Sequence, residues 1–115
     1  MEQSVKNLNI EYVANIMKIL GDKNRLYIFL LLNKRELCVC EITAISHLSQ
    51  SNVSQHLAKL KAAGLVKERK DAQWVYYSIN ELVNPLIDKI IKLLPDPEID
   101  VSKLTTLKSH PACKL

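Results

Sequence analysis

Long apolar runs are missing from this sequence: the longest, Leu26 to Leu32, is far too short to span a bilayer. There is no basic N-terminal stretch leading into an apolar segment and a small-residue cleavage site, so a soluble, cytoplasmic protein is expected. Aromatic residues make up only 5% against 48% apolar, which points to a helix-rich core of Leu, Ile, Val and Ala. Gly-rich phosphate loops, paired-carboxylate motifs and Cys/His sets at nucleophile spacing are all lacking, and an enzyme is not expected. Three cysteines, an odd number without a secretion signal, argue against a disulfide framework and for thiols that are buried, reactive or metal-bound. At 115 residues the chain has room for one core, expected over residues 1–97, with 98–115 as a tail of weak periodicity.

What is present is a local excess of positive charge. The net charge is +4, and residues 49–80 hold five basic side chains against two acidic, whereas the flanking segments are nearly balanced. A basic surface of this kind suits phosphate, because neutralised phosphates release counterions; a solvated basic face is an equal reading on charge alone.

Apolar spacing divides the chain. Residues 9–20 read as an amphipathic helix ending at Gly21, and Asp22 caps a second helix running to about Asn33. Glu36 to Ser46 reads as a short third helix. Leu48 to Ser51 is a polar break, and Val53, Leu57 and Leu60 mark a fourth helix from about Ser51 to Ala63, with Gly64 where a left-handed residue is wanted. LVKERK and WVYYSI then read as a hairpin around Asp71, Ala72 and Gln73. Asn84 and Pro85 open a last helix with Leu86, Ile87, Ile90, Ile91 and Leu94 on one stripe, stopped by Pro95 and Pro97.

Two helices joined by a tight polar turn and followed at once by a hairpin make a winged helix-turn-helix, mainly α with a β-hairpin wing. The first turns of a recognition helix meet base edges in the major groove of double-stranded DNA. Gln50, Ser51, Asn52, Ser54 and Gln55 have the donors and acceptors for that role. Lys59, Lys61, Lys67, Arg69, Lys70 and Gln73 are assigned to phosphate. His56 either touches phosphate or packs as a structural histidine, and helix capping alone accounts for Ser and Asn in such a run.

The runs GDKNRLYIFLLL, ELCVCEIT, LSQSNVSQHLAKLKAAGLVKERK and WVYYSI resemble the ArsR/SmtB family of metal-responsive repressors, from about residue 10 to residue 94. The resemblance implies a homodimer built on the first and last helices, and operator binding that a metal or metalloid releases. Two departures are Ser51, where Pro is frequent, and the wing turn DAQ, which lacks the Gly common there.

Cys38 and Cys40 offer soft thiolates suited to thiophilic ions, although two small buried hydrophobes are the alternative. Residues i and i+2 lie about 200° apart around a regular helix, so both sulfurs reach one ion only if the third helix starts irregularly. ELCVCEIT resembles the arsenic(III) and antimony(III) site of arsenical-resistance repressors, written ELCVCDL. This implies Cys38 and Cys40 as ligands and As(III) or Sb(III) as inducer. Thr43 stands where some relatives carry a third cysteine; Cys113 is the remaining thiol that would complete the set from either subunit, or a terminal cysteine without a role. Cadmium- and lead-sensing relatives share ELCVC but use extra N-terminal cysteines, absent from residues 1–20. Zinc-binding relatives use His and carboxylates on the last helix, which here offers only Asp88. A thiol-redox switch and a protein-interaction winged helix are the competing readings.

Overall fold

The computed structural model describes residues 9–80 and 85–97. Helix α1 (Ile10–Leu20) starts at Asn9, whose side chain accepts from the Tyr12 N–H at 2.7 Å. Helix α2 (Lys23–Lys34) starts at Asp22, whose carboxylate accepts from the Arg25 N–H at 3.0 Å. These caps satisfy amides that a helix leaves without partners. The run LYIFLLL is helical as expected, and Ile28, Phe29 and Leu31 are fully buried by the elements around it.

The third helix departs from expectation. The segment Glu36 to Ser46 is not helical throughout: Leu37–Cys38 form a short strand, β1, and α3 begins only at Val39 and runs to Ser46. A strand of two residues has no periodicity to reveal it, and its pairing partners, Tyr77 and Tyr76, lie far along the chain.

Helix α3 ends at His47, which takes a left-handed conformation (φ 63°) while its N–H donates to the Thr43 carbonyl at 3.0 Å. The chain thereby reverses within three residues, and Ser49 caps α4 (Gln50–Ala62) by accepting from the Asn52 N–H at 3.1 Å. Val53, Leu57 and Leu60 are fully buried, as their spacing requires. At the far end Gly64 has φ 78°, its N–H donates to Lys61 O, and the Leu65 N–H donates to Leu60 O. Glycine adopts that backbone without penalty, and Leu65 closes the motif by burying its side chain.

The wing follows: β2 (Val66–Asp71) pairs antiparallel with β3 (Trp74–Ile79) along its length, and β1 adds to the other edge of β3, giving the order β1-β3-β2. Its two-residue turn places Ala72 at φ 56°. Helix α5 (Pro85–Leu93) returns toward the core through Ile87 and Ile91. Asn84, the expected cap, and the tail lie outside the described residues. No helix among the described residues is long and apolar enough to cross a membrane.

Candidate nucleic-acid interface and thiol site

The exposed face of α4 is polar from its first residue. Gln50, Ser51, Asn52, Ser54 and Gln55 are all exposed, while the opposite stripe of Val53, Leu57 and Leu60 anchors the helix. The base-edge candidates are therefore available to a groove, and Ser49, not Ser51 or Asn52, carries out the capping.

The basic residues divide into two sets. Lys59 and Lys70 are exposed, as is Gln73 at the wing tip. Lys61 and Arg69 already hold carboxylates. Lys61 donates to Glu68, which holds its ammonium more firmly protonated. Arg69 donates from Nε and Nη2 to the two Glu36 oxygens at 3.0 and 2.8 Å, and its guanidinium lies 4.8 Å from the centre of the Tyr76 ring. The Arg69 hydrogen bonds keep the Glu36 carboxyl below the usual carboxylate range, against partial desolvation.

His56 is turned inward rather than toward solvent. Its Nδ1 lies 3.2 Å from Arg25 Nη1, and its Nε2 is 4.0 Å from Asp22 Oδ1. A guanidinium has only donors, so Nδ1 must accept and the ring is neutral in this arrangement. Burial lowers the His56 pKa; Asp22 opposes this and the Arg25 and Lys59 charges add to it. Arg25, itself buried, also donates from Nε to the Ile19 carbonyl, so one side chain ties the end of α1 to α2 and to α4. Of the two sequence readings of His56, the packed one describes its position.

The two cysteines meet at the strand-to-helix junction. Cys38 has extended backbone (φ −89°, ψ 167°) as the residue before α3, and Cys40 sits in the first helical turn. This break in regularity brings the two sulfurs to 2.9 Å, a separation that a continuous helix would not allow. Both residues are buried, with Trp74 and Tyr76 of β3 packed against them. Glu41 fixes the junction: its carboxylate, 2% exposed, accepts from the Cys38 N–H at 2.9 Å. Sequence reasoning missed Glu41, although an acidic residue three positions into a helix is half of a capping box. Thr43, at the position of a third cysteine in some relatives, donates its hydroxyl to the Val39 carbonyl at 2.9 Å. Two adjacent sulfurs on one side of the chain suit a thiophilic ion. Among the described residues no group of three or more His, Cys, Asp or Glu side chains is placed to hold a metal ion.

Comparison with known proteins matches residues 22–68 to the family model described as "Bacterial regulatory protein, arsR family". The chain is 40% identical over 82 residues to the arsenic resistance transcriptional regulator ArsR1 of Pseudomonas putida, covering 70% of this chain and 64% of that protein. It is 39% identical over 82 residues to the cadmium resistance transcriptional regulatory protein CadC of Listeria innocua, covering 70% of this chain and 69% of that one. The chain thus spans less than two thirds of the length of the first of these relatives. Among solved structures, reduced HlyU from Vibrio cholerae superposes with a TM-score of 0.68 at 35% identity, covering 82% of this chain and 94% of the other.

Proposed function

Since the chain belongs to the arsR family of bacterial regulatory proteins, we propose that it is a transcriptional repressor that binds operator DNA as a homodimer and lets go when arsenite or antimonite is captured by Cys38 and Cys40. The observation that carries this reading is the 2.9 Å contact between the two sulfurs, beside the helix on which α4 packs. Two thiolates supply the soft donors a trivalent arsenical requires, and Cys113, outside the described residues, is the remaining thiol for a third position.

The α4 face supplies the base contacts from Gln50, Ser51, Asn52, Ser54 and Gln55, and the basic side chains of α4 and the wing supply the phosphate contacts. For the dimer, Ile10 and Met17 on α1 and Leu93 on α5 are large apolar side chains left exposed. Met17 joins Ile16, Leu20, Leu26, Ile90 and Leu94 in lining a groove, the kind of surface that a second copy would cover.

We infer that release starts at this junction. Cys38 belongs to β1 and Cys40 to α3, so seating an ion between sulfurs that already touch spreads them and changes the junction that sets α3 against α4. Half-sites are about 34–36 Å apart, and a small rotation of each subunit spoils simultaneous docking. A coupling of roughly 1–3 kcal/mol weakens binding about 5- to 150-fold.

The test is anisotropy of labelled operator-length DNA with arsenite, cadmium, lead and zinc titrated into the complex, for the wild type and Cys38→Ser. Arsenite releasing only the wild type supports the proposal. DNA binding that no ion reverses removes the metalloid response and leaves the redox reading, which the same sulfur contact favours: oxidation of the pair would then act at the same junction.

A further inference from the structure

Arg69 stands in the wing, on β2, but its carboxylate partner does not. Glu36 precedes β1, 33 residues earlier, and takes both donors of the guanidinium fork. The sheet register places Arg69 opposite Tyr76, and Tyr76 opposite Cys38, so the clasp lies across the same three-strand row as the first thiol. Tyr76 presents its ring to Arg69 on that row and packs against the cysteine pair. Asp71 adds a second, looser anion at 3.9 Å from Arg69 Nη1.

A carboxylate and a phosphodiester present a guanidinium with the same pair of oxygens, and Arg binds either through the same fork. An arginine on the wing cannot give its fork to both at once.

We propose that Glu36 is a positioning residue that competes with a DNA phosphate for Arg69, so that the wing docks by exchanging one anion for another. This rests on the DNA-binding reading above and extends it to a residue outside both the reading helix and the wing. The exchange has a signature in salt dependence. When Arg69 moves from Glu36 to phosphate, the DNA releases a condensed counterion, but added salt also screens the Glu36–Arg69 pair and makes it easier to open, so the two salt effects oppose each other. With a neutral residue at 36, counterion release is left unopposed.

The experiment is anisotropy of a labelled mixed-sequence duplex about three helical turns long, across a range of potassium chloride concentrations, for the wild type, E36Q, R69A and the double variant. Glu36 and Arg69 are both partly exposed, so these changes leave the core intact. E36Q is expected to bind roughly 1.5- to 5-fold more tightly, the scale of an exposed ion pair. Its plot of log affinity against log salt should steepen, by less than the value of about 0.9 that a whole phosphate contact carries. Both effects should vanish when E36Q is combined with R69A. Removing an acidic charge raises affinity for any polyanion, and that general effect would be as large with R69A as without it. An equal gain in both settings, or no gain with Arg69 present, overturns the role of Glu36 while wild-type DNA binding stands. A wild type that binds no duplex overturns it together with the DNA-binding reading.

Discussion

His56 Nδ1 accepts a hydrogen bond from Arg25 Nη1 at 3.2 Å, joining the middle of the reading helix to the first turn of α2. Protonating the ring puts two cations face to face and removes the acceptor. Burial already holds the His56 pKa below the ordinary histidine value of about 6.5, so the folded chain resists the proton more than the unfolded chain does. Above that ordinary value both states are neutral and this group contributes its full stability. As pH falls through it the unfolded state takes up the proton first, and stability is lost until the folded-state pKa is passed. Urea midpoints of the wild type and H56Q, compared between about pH 7.5 and about pH 5.5, should show the larger acid loss in the wild type. Equal losses would mean that other groups account for the acid sensitivity.

Ala72 adopts φ 56° at the first position of the wing turn, where glycine is favoured. The left-handed backbone costs a residue with a Cβ about 1–2 kcal/mol, partly offset by the extra freedom glycine brings to the unfolded chain. Ala72→Gly should therefore stabilise the fold by about 0.5–1 kcal/mol, raising Tm by roughly 2–6 °C in a thermal melt. A lower Tm would contradict the strain assigned to this turn.

Ser49 is the sole side-chain cap seen at the start of the reading helix, through the Asn52 N–H. Ser49→Ala should cost about 1 kcal/mol in chemical denaturation. Because the amide it frees belongs to Asn52, one of the base-contact candidates, affinity for operator DNA should fall as well; unchanged affinity would show that DNA itself organises this turn.

Trp74 is the single tryptophan of the chain and packs against Cys38 and Cys40. Arsenite added to reduced protein should change its emission and reach saturation, and Cys38→Ser should abolish the change. A wild-type spectrum indifferent to arsenite would mean that these cysteines do not capture it.

Elements held by apolar periodicity are legible in the sequence: α1, α2, α4 and α5 lie within a residue or so of the bounds their spacing implies, and Gly64 has the left-handed backbone expected of it. The junction at Cys38 is not legible. It depends on pairing with Tyr76 and Tyr77, and a two-residue strand carries no pattern of its own. The requirement for an irregular start to α3 does follow from helix geometry, and the extended backbone at Cys38 meets it. Side-chain pairings across long separations are hidden for a different reason. Arg69 with Glu36, and His56 with Arg25, are ordinary surface-type residues in sequence, and only the fold brings each to its partner. His47 gives no signal of its turn, because a left-handed residue at a helix end is usually read from Gly or Asn.

The sheet is lopsided, with β2 and β3 paired over six residues each and β1 joined to β3 by Leu37 and Cys38 alone. That asymmetry concentrates the link between the first half of the chain and the hairpin in one narrow seam. Glu41 on one side and the rings of Trp74 and Tyr76 on the other clamp that seam, so a change at residues 38–41 acts as a lever on both the hairpin and the helix against which α4 rests.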